Sequence, residues 1–421
     1  MQILLKSATI VSENSPFNGQ EKDILIDNGV ITSIAGSIAP GNATVIEGKG
    51  LHVSGGWMDV FAHFCDPGQE YKEDLQSGAL AAAAGGYTAV MIVPNTQPAL
   101  HTKTQIAYVH STAAHNAAEV LPIGAITKNL EGTSLAEMYE MKEAGAVAFS
   151  DGLKPVQSSG LMLKALQYVK AFDGAVIQIP DDATISGHGL MHEGIHSTRL
   201  GMPGKPAIAE EIMLKRDLDL LEYTGSRLHV TAVSTAGSIR LIADAKARGL
   251  RVTCSVTPYH LLFTDADMAS YDSFLKVNPP LRTQEDVDAL RAAVADGTVD
   301  CIATHHQPQD WDAKQVEFEY AKPGMIGLET AFAALRTALP QLSTAQLVKL
   351  LSDNPRRIFG QSLAPVAEGA VANLTVFEPA TEYTISDDRF QSKSRNTPFL
   401  GKTAKGSVTG IIRQNKSWFR S

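Results

Sequence analysis

Cysteine is nearly missing from this sequence: Cys65, Cys254 and Cys301 are the only three in 421 residues, and no two form a Cys-x-x-Cys pair. Neither a disulfide framework nor a thiolate zinc site is expected. Long apolar runs are absent as well. Nothing approaches the roughly 18 consecutive apolar residues of a membrane span, and no signal peptide is legible near the N-terminus, so the cytoplasm is the expected location. Basic runs are also lacking and the formal net charge is −9, which argues against nucleic acid or an anionic membrane as the principal partner. What the chain does have is ample core-forming material, 44% hydrophobic residues, over a length that suits one barrel plus a small appended domain.

From residue 53 to about 310, short apolar runs alternate with longer amphipathic stretches, the pattern of parallel strands joined by helices. The runs are Trp57 to Phe64, Tyr87 to Val93, Val120 to Ile126, Ala146 to Ser150, Ala175 to Ile179, Leu228 to Val233, Arg251 to Val256 and Asp300 to Thr304. Helical spacing is carried by Ser134 to Ala144, Ile208 to Glu222, Ser238 to Arg248 and Gln284 to Asp296. Such a series predicts an α/β chain closed into a (β/α)8 barrel. The ends differ. Gln2 to Leu5, Ala8 to Val11, Asp23 to Ile26, Thr44 to Glu47, Leu374 to Phe377 and Val408 to Ile412 are short strands broken by turn residues. Residues 1–52 and 370–421 are therefore expected to build one composite β domain around a barrel of residues 53–369.

The segment Asp59-Val60-Phe61-Ala62-His63-Phe64-Cys65 lies at the end of the first barrel strand. Alternate residues of a strand share a face, so Phe61 and His63 point the same way. The motif Asp-x-His-x-His would bring two imidazoles to one metal from that face, and here a phenyl ring replaces one. Around it stand Pro67-Gly68, Ala81 to Thr88, Val93-Pro94-Asn95-Thr96, Lys276 to Arg282, Gly324 to Thr330 and Ser392 to Phe399. Together these segments resemble the multifunctional-complex type of dihydroorotase, among the cyclic amidohydrolases, nearly end to end. The resemblance implies a metal-dependent hydrolase barrel with a composite β domain, and zinc if the chain is active.

Carried over residue by residue, the resemblance finds the chemical positions altered. Cys65 stands where the family has an arginine that clamps the substrate carboxylate. Phe149-Ser150-Asp151-Gly152 resembles Phe-Ser-Asp-Asp-Gly, which makes Asp151 the candidate bridging carboxylate. Gln178 and Ala232 occupy two histidine-ligand positions, and a neutral amide is a poor zinc ligand. His305 replaces the aspartate that serves the family as ligand and proton shuttle, Gln309 replaces a substrate-contacting histidine, and Tyr259-His260 stands in place of a His-His pair. Only His63 and Asp151 remain as metal positions. Asn95 and Asn278 match family positions that contact substrate.

Blander readings stand beside these. His63, alone on a buried strand, reads as a hydrogen-bonded core imidazole sooner than as a ligand. Asp151 can cap the next helix, Asn95 and Asn278 can satisfy nearby backbone, and His305-His306 sends at most one ring to the mouth. Cys65 has no evident histidine partner and reads as an inert buried thiol. His188 and His192 are four apart, but Gly187, Gly189 and Gly194 favour a loop over a metal-binding helix. The leading expectation is a non-catalytic dihydroorotase homologue, without cofactor, that self-associates or partners aspartate carbamoyltransferase. The alternatives are an active cyclic amidohydrolase with one metal on His63, His305 and Asp151, and a small-molecule sensor using Asn95 and Asn278.

Overall fold

The computed structural model describes every residue except Ala364 and Ser421. Its centre is a sheet of eight parallel strands in sequence order: β1 (Trp57–Ala62), β2 (Tyr87–Ile92), β3 (Glu119–Gly124), β4 (Ala148–Phe149), β5 (Val176–Gln178), β6 (Leu228–Val230), β7 (Val252–Val256) and β8 (Cys301–Ile302). The sheet closes on itself between β1 and the end of β8. Ala62 bridges to His306, the His63 amide donates to the His306 carbonyl at 2.8 Å, and Asp59 accepts from the Thr304 amide and hydroxyl at 2.7 and 2.9 Å. The chain is thus a (β/α)8 barrel. Parallel strands covered on both faces are apolar along their whole length, and every residue of β1 and β2 is buried.

Two cores follow from that arrangement. Met58, Val60, Phe61, Ala89, Met91, Ile123 and Ile177 fill the barrel interior, while Phe64, Val90, Leu166, Leu218, Ile242 and Leu290 pack strands against helices. Among the described residues no helix is long and apolar enough to cross a membrane.

Helix ends follow local chemistry. The helix Gln284–Asp296 begins in a reciprocal cap between Thr283 and Asp286 and ends at Gly297 with φ +86°. The helix expected over Ser134 to Ala144 is shorter, Met138–Glu143. Leu135 bridges to Thr127 and the Ala136 amide donates to Ile126, so the first part of that segment is extended.

The second sheet runs in the order Lys416–Phe419, Thr403–Arg413, Asn373–Thr384, His52–Gly55, Gln2–Val11, Glu21–Asp27, Val30–Ala35, with Thr44–Ile46 added beside Gln2–Val11. Strands from both ends of the chain therefore share hydrogen bonds. The two short runs expected before residue 12 are one strand kinked at a bulge where Ser7 takes φ +48°. His52–Gly55 pairs with both Gln2–Val11 and Asn373–Thr384 and leads directly into β1. Trp57 packs at that junction against Tyr87, Phe332 and Phe377.

Candidate active site

Chemistry in a barrel of this type belongs at the carboxyl ends of the strands, where loops can supply reacting groups without disturbing the core. At three of those ends the backbone turns left-handed at a residue with a side chain: Cys65 at φ +61° after β1, Ala232 at +54° after β6 and His305 at +46° after β8. Such conformations cost free energy and persist only where the surrounding structure imposes them. Ala232 has no polar side-chain atom, so neither a ligand nor a side-chain hydrogen bond accounts for the strain there.

The side chains at these ends do not converge on a metal. Phe61 lies flat against His305, ring centroids 4.3 Å apart and planes 19° from parallel. His305 Nε2 pairs with Thr231 Oγ1 at 2.8 Å. His63 Nε2 is 2.9 Å from the Asn95 carbonyl. Asp151 accepts from the amides of Ile126 and Thr127 at 2.9 and 2.8 Å and from the Thr127 hydroxyl at 2.5 Å. It does not cap the helix Ser159–Lys170, whose cap is Ser158; it ties the end of β4 to the loop after β3. Gln178 faces the Val156 backbone at 3.4–3.5 Å, and Ala232 has no ligand atom. Among the described residues no group of three His, Cys, Asp or Glu side chains could hold a metal ion. The trio His63, His305 and Asp151 is therefore not assembled, and a catalytic zinc, which needs about three protein ligands, does not fit the residues present.

Cys65 corrects an expectation. Its Sγ is 3.7 Å from His63 Nδ1, so it does have a histidine neighbour. Burial pushes the thiol up to about 12 and the imidazole down to about 4. The pair is a neutral thiol beside a neutral imidazole, unlike the thiolate of a nucleophilic cysteine.

Beyond His305, polar residues that were not singled out in sequence line the interior. His305 Nε2, Thr231 Oγ1, Ser255 Oγ, His229 and Thr253 Oγ1 form one chain, with successive contacts of 2.8, 2.8, 3.1 and 2.9 Å. Burial lowers both histidines to about 3, so both are neutral. The spacing His229/Thr231 and Thr253/Ser255 is the period-2 signal that could have revealed it. Asp59, the first residue of the strand-1 motif, is pushed up to about 7 by burial and serves barrel closure.

The candidate substrate contacts are also committed. Asn95 donates to the Asp151 carbonyl at 3.1 Å and accepts from the Leu153 amide at 2.9 Å. Asn278 accepts from Lys205 Nζ at 2.6 Å, and the same ammonium contacts Asp181 at 2.5 Å. Gln309 donates to the Pro323 carbonyl at 2.9 Å. His306 turns away from the mouth, its Nε2 3.5 Å from Glu73. His188 lies in an exposed turn, while His192 accepts from Arg282 at 3.1 Å, so the two do not form a helical pair. His260 is held between Thr257 and the Pro279 carbonyl.

Comparison with known proteins fits this frame. The family described as dihydro-orotase-like matches residues 51–238. A dihydroorotase of Pelotomaculum thermopropionicum is 44% identical over 411 residues, covering 96% of each chain. One of Syntrophus aciditrophicus is 40% identical over 421 residues, covering 99% of each. The chain belongs to the dihydroorotase family. An L-hydantoinase (dihydropyrimidinase) structure from Arthrobacter aurescens superposes with TM-score 0.83 at 22% identity, covering 99% of this chain and 95% of that one, a likeness of fold.

Proposed function

We propose that this dihydroorotase-family chain does not hydrolyse dihydroorotate and is kept for association, with aspartate carbamoyltransferase as its first partner. One observation carries the reading: the Phe61 ring is stacked on His305, two positions to which the resemblance assigns metal ligands. Opening a cyclic amide needs an activated water, and zinc lowers the pKa of a bound water to about 7. Here the remaining donors are bonded to protein. His63 is held by Asn95, Asp151 by Ile126 and Thr127, and His305 by Thr231. Relatives named dihydroorotase match nearly the whole length, which supports a retained frame.

A small polar ligand bound without turnover is a second reading. It is favoured by a cleft of about 380 Å³ where Asn95 meets Gln69, Gln97, Asn129 and Lys154. Against it stands the engagement of both ends of the Asn95 amide, its nitrogen by the Asp151 carbonyl and its oxygen by the Leu153 amide.

Two experiments test the leading reading. Phe61→His alone returns neither zinc nor turnover, because Gln178, Ala232 and His305 still leave the site short of ligands and a proton shuttle. Zinc-dependent turnover in that variant would show a nearly complete site. Co-purification from the source cell, followed by light scattering, is expected to recover a complex with aspartate carbamoyltransferase. A strict monomer whose deletion leaves carbamoyltransferase assembly and activity unchanged would contradict the association.

A further inference from the structure

In the segment from Asp310 to Gly324, which follows β8, residues 311–320 expose acidic and aromatic side chains, and the exposed Lys322 follows them. Trp311 is 66% and Tyr320 69% exposed, and Val316 is also exposed. Asp312, Glu317 and Glu319 are exposed between them. Among the described residues none of these three carboxylates is in an ion pair. Across a groove of about 530 Å³ stands the exposed Tyr271, with Asp272 beside it.

This segment is held in one shape by two buried ammonium groups. Lys314 folds inward, donating to the carbonyls of Lys322 and Gly324 at 2.9 and 3.2 Å. Lys276 donates to those of Phe318 and Glu319 at 2.7 and 2.9 Å. Ser273 donates to the Lys314 carbonyl at 2.6 Å, and Phe318 packs with Tyr259, Met268, Leu275 and Met325. Burying an ammonium against carbonyls alone is costly, so the fold spends stability on this conformation. Turning Lys314 inward also removes its positive charge from the outward face.

We infer that the outward face of residues 311–320 docks a basic surface of a protein partner, whose arginines stack on Trp311 and Tyr320 while Asp312, Glu317 and Glu319 complement their charge. A second copy of this chain is the poorer occupant, because its net charge of −9 opposes an acidic face. The inference rests on the reading that this chain acts through its surface.

The test uses the full chain, a fluorescein-labelled hexa-arginine peptide and anisotropy. The variants are Trp311→Ala with Tyr320→Ala, and Asp312→Lys with Glu317→Lys, all at exposed positions, with unchanged thermal unfolding as the fold control. Wild type is expected to bind the peptide, and each double variant to lose about tenfold in affinity. Absence of binding, or equal binding by wild type and both variants, overturns the docking face. The same proteins are then mixed with purified aspartate carbamoyltransferase and followed by light scattering. A complex lost in both variants supports the inference. A complex unaffected by either overturns the docking face and leaves the association reading standing. Peptide binding that depends on the face, without a carbamoyltransferase complex, supports the face and removes that partner.

Discussion

At the barrel mouth Phe61 lies on His305 and Ala232 presents a bare methyl group, whereas under the neighbouring loops buried charge is kept and answered. Arg282 donates to Ser234 at 3.0 Å, to His192 at 3.1 Å and to the Lys205 carbonyl at 3.0 Å, and stands 3.5 Å from Glu210. Glu210 in turn accepts from the amides of Ser234 and Thr235. Glu73 ties the helix Leu75–Ala84, through Ser77, to the segment around Ser392 and the Lys393 amide. Both regions sit on the same strand ends. The difference teaches that buried charge is paired where it holds loops to the barrel, while the polar groups of the mouth, His63, Asp151 and His305, are each bonded to protein and do not converge on one point.

The comparison breaks most directly at Arg282. Arg282→Met leaves Glu210 buried without its cation and should cost about 3–5 kcal/mol of stability, read by denaturant unfolding. A loss under about 1 kcal/mol would mean that the frame does not depend on its buried charge. Lys314 sharpens the same point through pH. Burial, with Lys276 nearby, pulls its ammonium from 10.5 down to about 7. Between those values the unfolded chain holds a proton that the folded chain has released, so stability rises with pH. Below about 7 both states are protonated and the full penalty of burial is present. Lys314→Met should remove that contribution, flattening stability between pH 7 and 10 by up to about 1.4 kcal/mol per pH unit. An unchanged pH profile would contradict the assignment. The smallest effect is expected at the mouth. Ala232→Gly relieves a left-handed turn and should stabilise by about 1 kcal/mol, raising Tm. A lower Tm would mean that the Ala232 methyl contributes more than its strain costs.

Much of this was legible from residue patterns. The barrel strands read clearly because both their faces are covered, leaving near-continuous apolar runs such as Trp57 to Ala62. The helix expected over Gln284 to Asp296 has those same ends in the structure, where the Thr283–Asp286 cap and Gly297 bound it by local chemistry. Ser134 to Ala144 misled because helical spacing says nothing about the pairing of Leu135 with Thr127, a contact made across the loop. At the mouth, the resemblance implied ligand substitutions, but nothing in the sequence showed the bonds these side chains make. Cys65 meets His63 only because the backbone turns at φ +61°, and Asp151 reaches back to Ile126 rather than forward to a helix. Lys314 looks like any loop lysine in sequence. Its inward turn depends on carbonyls supplied by Lys322 and Gly324 after the loop has folded.

The most direct measurement combines elemental analysis of the purified protein with a dihydroorotate hydrolysis assay, with and without added zinc. The Phe61–His305 stack and the committed donors His63 and Asp151 predict no tightly bound zinc and no turnover under either condition. Near-stoichiometric zinc, with turnover abolished by chelator and restored by the metal, would contradict the account.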